Sequence, residues 1–188
     1  MSLDQARQLR ELDDERLTKL IAKHWGRVQI TTPLEKQGRI TAVSIILARG
    51  TGDAARGREH FEKVCANCHK LHGKGLTIGP DLSGAERKNR DLLIRNTVDP
   101  SAVIREQYLT HTAATTDGRV LSGLLAESNA ETFTLLDAKN KRTVLNRKDL
   151  DELQESPVSL MPEKLLDTLT DQQLRDLFAY LQSEADKP

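Results

Sequence analysis

The stretch "FEKVCANCHKLHGKG", Phe61–Gly75, contains both cysteines of the chain and two of its five histidines. Cys65 and Cys68 form a C-x-x-C pair with His69 directly after it. Such a pair can be a dithiol redox centre, half of a zinc site or the attachment point of a cofactor, and each implies a different fold. A thioredoxin-type pair opens a helix after a strand in a βαβ unit. Here the preceding residues, "GDAARGREHFEKV", read as a helix, and no parallel-sheet pattern accompanies them. A zinc site needs two more ligands, and the chain has no further cysteine. Recruiting His69 and His72 would place all four ligands between Cys65 and His72, which strains a tetrahedron and is tighter than structural zinc spacings.

Taken with His69, "CANCH" has the C-x-x-C-H spacing of c-type haem attachment. The spacing has a chemical reason. Two thiols add across the two vinyl groups of the porphyrin to form thioethers, and the adjacent imidazole turns under the iron as an axial ligand.

Composition narrows the setting. The chain of 188 residues suffices for one ample domain or two small ones. Lys+Arg and Asp+Glu both number 28, so no basic excess is available to neutralise phosphates, and nucleic acid is not expected as a partner. No apolar run reaches the ~18 residues of a transmembrane helix. The opening "MSLDQARQLRELDDERL" is acidic and lacks the apolar centre of a signal peptide. Aromatic residues make up only 3%, so the core must be filled by aliphatic side chains or by something other than protein.

Three textures succeed one another along the chain. Residues 3–48 read as two helices. The first carries Leu9, Leu12, Leu17, Leu20 and Ile21; the second is capped by Thr32 with Pro33 and Glu35, and stops at Gly50. Next come a helix capped by Asp53 with Gly57 and Phe61 on one face, the cysteine loop, and a short helix capped by Asn89. "DPSAVI" is expected to start another helix, with Asp99 as cap and Pro100 at the first position. Residues 108–153 change period, with Asp117-Gly118 and Ala138–Asn140 turning between β-prone runs and residues 151–153 leading out of the sheet. A final helix is announced by Thr170 and Gln173 as a capping box, with Leu174, Leu177, Phe178 and Leu181 on one stripe.

The stretch from Gly52 to Gly84 resembles the class I cytochrome c family: Gly57 and Phe61, then the haem motif, then Gly79-Pro80 and Leu82. Leu177 and Tyr180 match the positions at which that family's terminal helix crosses the first. A wider resemblance, to the planctomycete-type c-type haem-binding domain found at the carboxyl end of large exported dehydrogenase-like proteins, rests on four further stretches. They are "HWGRV" (His24–Val28), "DPSAVIREQY" (Asp99–Tyr108), "TTDGRVLSGLL" (Thr115–Leu125) and "SLMPEKLLDTLTDQQLRDLFAYL" (Ser159–Leu181). It implies a mainly α fold: a cytochrome c-like helical haem domain with an N-terminal helical pair and an inserted small antiparallel β-sheet or barrel. The expected divisions are an N-terminal helical segment at 1–51, the haem domain at 52–107 and 156–188, and the β insert at 108–155.

The same resemblance implies one haem c, bound covalently through Cys65 and Cys68, with His69 as proximal iron ligand and the Pro80 carbonyl accepting from its imidazole. Only Met1 and Met161 could supply a thioether as distal ligand; Met161, between Pro157 and Pro162 before the last helix, stands where the family places it. His72 and His111 are weaker competitors, and Arg87, Arg90, Arg95 and Arg105 are potential propionate partners that read as solvated helix charges. The implied function is outer-sphere electron transfer without catalysis of its own, serving a fused dehydrogenase domain or a redox partner in the periplasm or another exported location. A haem-based sensor and an interaction module using the β insert are the alternatives. Protein made without a maturation system would lack the haem, while helices 54–64 and 171–182 would still pack.

Overall fold

A computed structural model describes residues 3–184. In chain order the elements are α1 (Leu3–Glu11), α2 (Glu15–Trp25), β1 (Arg27–Val28), α3 (Leu34–Ala48), α4 (Ala54–Val64), α5 (Arg90–Val98) and β2 (Val103–Ile104). The strands β3 (Thr110–Thr115), β4 (Val120–Ser128), β5 (Thr132–Leu136), β6 (Arg142–Asn146) and β7 (Leu150–Glu155) come next, and α6 (Asp171–Gln182) closes the series. Helix predominates, yet a five-stranded antiparallel sheet and a two-stranded ladder take a large share, so the mainly α description holds only in part. Met1 and the last residues of the expected 156–188 segment lie outside the described residues.

Local capping chemistry accounts for most helix starts. Asp53 accepts from the Ala55 and Arg56 N–H groups and Asn89 from Leu92, while Thr170 and Gln173 form both bonds of their box. Two expectations at the start fail. The single first helix is two, because Asp13 takes a positive φ of 50° and Asp14 then caps α2 through the N–H groups of Arg16 and Leu17. Thr32 does not cap α3. Pro33 is itself the extended N-cap residue, and the Thr32 carbonyl instead accepts from Gln37 Nε2 at 2.7 Å.

The chain forms two compact units, one from residues up to Thr31 with Pro100–Met161, the other from Thr32–Asp99 with Pro162 onward. This differs from the expected division. Val43 and Leu47 of α3 are buried in one core with Phe61, Ile94, Leu174, Leu177 and Phe178, so α3 belongs with the cysteine-bearing helices rather than with an N-terminal segment. In the other unit Ala6, Ile21 and Val28 share a small core with Val103.

"DPSAVI" does not start a helix. The Asp99 Oδ1 is turned to Lys36 Nζ at 2.8 Å instead of capping a following helix, and β-branched Val103 and Ile104 pair with β1 as an antiparallel ladder. Residues 151–153 do not leave the sheet either. They lie in β7, where Leu153 stands opposite Ala113. The strand order β6-β5-β4-β3-β7 leaves the ladder open. Even so, Leu145 of β6 and Leu150 and Leu153 of β7 pack into one cluster with Ala113, Phe133 and Leu135. Register shifts at Ala114/Thr115 and Leu125/Glu127 mark where the strands bend. The Asp117-Gly118 turn stands as expected, with Gly118 at φ 82°.

The crossing of α4 and α6 fixes where the cysteine turn lies. A Cβ at Gly57 would lie 1.9 Å from the Asp176 carbonyl oxygen, so only glycine lets the two backbones touch there. One turn on, Phe61 packs its ring 5.4 Å from that of Tyr180. The stripe Leu174, Leu177, Phe178 and Leu181 is buried throughout, each side chain contributing about 1.5–3 kcal/mol.

Candidate haem site

Phe61 and Gly57 anchor α4 against α6, and this sets where the helix delivers its last turn. The turn continues past Val64: the Cys68 and His69 N–H groups both donate to the Cys65 carbonyl, at 3.0 and 2.9 Å. Positions i, i+3 and i+4 of one turn share a face, so Cys65, Cys68 and His69 project to the same side.

The loop after His69 is folded back onto that turn. Leu76 N–H donates to the Ala66 carbonyl, Gly79 N–H to that of Cys68 at 2.7 Å, and Leu82 N–H to that of Lys70. Two glycines make the closeness possible. A Cβ at Gly75, whose φ is 96°, would stand 2.1 Å from the His69 carbonyl oxygen, and one at Gly79 would stand 2.7 Å from Cε1 of the His69 ring.

The His69 Nδ1–H donates to the Pro80 carbonyl at 2.9 Å. A carbonyl can only accept, so the proton sits on Nδ1 and the lone pair on Nε2. Burial lowers the His69 pKa and the Pro80 bond opposes it only in part, so the ring is neutral at pH 7. A neutral imidazole with an oriented Nε2 lone pair is a metal ligand whose basicity the carbonyl increases.

Both cysteines are free and half-buried. Burial, with the Cys68 charge adding to it, pushes the Cys65 thiol up to about 12, and burial raises Cys68 as well. A dithiol redox centre works through a thiolate of lowered pKa; this pair is shifted the other way. The donor set fits a covalently held haem: two thiols and a neutral, carbonyl-oriented imidazole on one face of one turn. Bound there, a haem would supply a one-electron Fe(III)/Fe(II) couple. The chain's own part is to fix the imidazole through Pro80, keep the Cβ-free space at Gly79 beside the ring, and present both sulfurs together.

The other candidates stand elsewhere. His72, at φ 50°, turns its ring onto α6, edge-on to Tyr180 and with Nε2 3.1 Å from Ser183 Oγ. His111 lies in β3, with Nδ1 3.1 Å from the Leu109 carbonyl. Arg87 is not a solvated helix charge: it donates to the carbonyls of Leu181 and Ser183, at the C-terminal end of α6. Met161 is half-buried in the irregular segment after β7, and its N–H donates to Ser159 Oγ at 3.2 Å. The fold thus gathers Cys65, Cys68, His69, Gly79 and Pro80 in the second unit, while Met161 is counted with the first.

Sequence reasoning missed Asp176. Its buried carboxylate accepts from Asp53 N–H and Gln172 Nε2, both at 2.8 Å, and from Arg56 Nε at 2.9 Å, tying the start of α4 to α6. An aspartate in the middle of an amphipathic helix next to the apolar stripe was the available signal.

Comparison with known proteins agrees with this geometry. Residues 54–118 match the family model for cytochrome c. A stretch of 34 residues is 53% identical to the protein named cytochrome c-type cyt cy from Rhodobacter capsulatus. It amounts to 18% of this chain and spans only 17% of the length of that relative. Among the described residues no helix is long and apolar enough to cross a membrane. The chain carries a cytochrome c family domain at residues 54–118, built around the turn that presents Cys65, Cys68 and His69.

Proposed function

We propose that this chain is a monohaem c-type cytochrome module that passes single electrons and catalyses no reaction of its own. Haem c is held through Cys65 and Cys68, with His69 as proximal and Met161 as distal ligand. The module is of the planctomycete type, works in the periplasm or another exported location, and serves a dehydrogenase domain or partner protein. The observation that carries the reading is the His69 Nδ1–H bond to the Pro80 carbonyl, made within one turn of two thiols. The family match across the same residues supports it. Met161 is chosen because thioether ligation raises the potential into the range of electron carriers, and because the stiff "SPVSLMPEK" segment holds the sole methionine among the described residues.

The test is spectroscopy on protein made together with a c-type maturation system. The expected result is a covalently attached haem with sharp reduced bands, a ferric methionine-to-iron charge-transfer band, and no carbon monoxide binding to the ferrous form at neutral pH. Met161→Ala should open the iron to carbon monoxide and lower the potential. Ready carbon monoxide binding by the unaltered protein would refute six-coordination.

A further inference from the structure

Helix α3 lies outside the residues matched to the cytochrome c family, yet its polar side reaches the segment that comes after Met161. Lys36 Nζ stands 2.8 Å from Asp99 Oδ1 and 2.6 Å from Glu163 Oε1, bridging the two carboxylates. One turn later, Arg39 pairs with Asp167 at 3.0 Å and donates to the Leu166 carbonyl at 3.3 Å. Both cations therefore grip the short stretch Glu163–Asp167 from the same face of α3.

Packing alone does not hold that stretch in place. A cleft of about 350 Å³ opens between α3, the end of α5 and this stretch, lined by Lys36, Arg39, Thr97, Val98, Glu163 and Leu166 among others. Across a cleft few atoms touch, so the ion pairs set the spacing. Leu166 is buried in the core and anchors the far end. Lys164 between them has a φ of 63°, a left-handed conformation that a non-glycine residue keeps only where its surroundings impose it.

The anchored end is close to Met161 along the chain. Glu163 comes after Met161 with only Pro162 between, so the two Cα atoms are at most ~7 Å apart, and the proline ring removes one backbone torsion. Lys36 is suited to a permanent grip. Burial would lower its pKa, but the bonds to Asp99 and Glu163 outweigh that and raise it, so the ammonium stays charged at neutral pH.

We propose that α3 is a clamp on the distal-ligand segment, with Lys36 and Arg39 as positioning residues that hold Met161 for the iron through Glu163 and Asp167. The inference rests on the reading of Met161 as distal ligand and extends it. The clamp sets how readily the thioether leaves the iron, and hence the potential and the resistance to outside ligands.

The test compares the haem-loaded protein with the double variant Glu163→Gln, Asp167→Asn. This variant cuts both grips and leaves the buried Lys36–Asp99 pair that the fold needs. Imidazole is titrated into the ferric forms, and the midpoint potential is measured alongside. Each pair is partly exposed and worth up to ~1 kcal/mol, so the double variant should bind imidazole roughly tenfold more tightly. Its potential should fall, while Lys36→Arg, which can span both carboxylates, stays within about twofold of the unaltered protein. Equal imidazole affinity in the double variant and the unaltered protein overturns the clamp.

Should the unaltered ferric protein lack the methionine charge-transfer band, the ligand assignment falls, and hydrogen exchange in the haem-free chain decides the rest. The amides to monitor are Asp167 and Leu169, which donate to the Lys164 and Leu166 carbonyls. Faster exchange there in the double variant keeps the clamp on the segment. Unchanged exchange overturns it.

Discussion

Replacing Asp176 with asparagine keeps the shape of the side chain, removes the charge and turns one of its two acceptor oxygens into an N–H donor that cannot accept from Arg56. Asp176 is 2% exposed and sits where α4 and α6 cross. The Arg56 guanidinium bonded to it holds its pKa down to about 2 from an ordinary 3.8; burial opposes this, and Asp53 N–H and Gln172 assist. A depression of that size corresponds to about 2 kcal/mol at 1.36 kcal/mol per unit. The Arg56 side chain is 58% exposed, so solvent screens part of the interaction, and about 1–2 kcal/mol is the expected loss. The direction of the shift gives the sign. A carboxyl whose folded pKa is depressed contributes its stability in full above the unfolded value and loses it as pH falls through the folded one. The difference between Asp176→Asn and the unaltered chain should be full at neutral pH and should shrink between pH 3.8 and about 2. Urea unfolding monitored by far-ultraviolet circular dichroism measures it, with a midpoint lower by about 0.5–1 M at neutral pH for a typical slope. A gap that stays constant across that acid window, or no gap at all, would refute the assignment of the charge as a tie between the two helices.

Three further substitutions probe other parts of the molecule. Gly57→Val forces side-chain atoms into a crossing where even a Cβ meets the Asp176 carbonyl at 1.9 Å; it should lower stability by about 2–3 kcal/mol in the same urea assay, and an unchanged midpoint would show that the helices part freely. Gly79→Ala places a methyl 2.7 Å from the His69 ring and should move it off the Pro80 carbonyl; in haem-loaded protein the iron–imidazole bond should weaken roughly 10- to 100-fold, seen as easier displacement by added ligand while the thioethers remain. Phe133→Ala empties the centre of the apolar cluster on the five-stranded sheet and should cost about 3–5 kcal/mol, read from faster amide exchange in β3, β4 and β5.

For electron transfer the value of such an arrangement lies in what stays still. The imidazole is held by a carbonyl from a loop that is itself bonded back to the cysteine turn, so His69 has little room to reorient. The clamp inferred at α3 would serve the opposite ligand in the same way. If His69 and Met161 ligate the iron as proposed, such fixed ligands would need little rearrangement when the iron changes charge.

What the sequence determined by itself is what depends on neighbours within about one helical turn. Asp53, Asn89 and the Thr170–Gln173 box cap their helices as expected, because each bond joins residues two or three apart. The C-x-x-C-H turn belongs to this class, as does Asp117-Gly118, since local geometry sets which side chains share a face and where a chain reverses. The α4–α6 contact was legible only because glycine and aromatic spacing on two helices resembled a known crossing. Asp99 and "SAVI" were misread because their partners come from far along the chain, whereas the error at Thr32 is a shift of one residue in the start of α3. A lysine on α3 claims the Asp99 carboxylate, Pro33 starts α3 one residue later, and β1 pairs with Val103 and Ile104. The membership of α3 in the cysteine-bearing unit and the grip of Lys36 and Arg39 on Glu163 and Asp167 likewise had no local signal, and at Asp176 the local signal named no partner. Apolar and charged side chains on an exposed-looking helix do not state what they will meet, and only the tertiary packing chose among the partners that chemistry allowed.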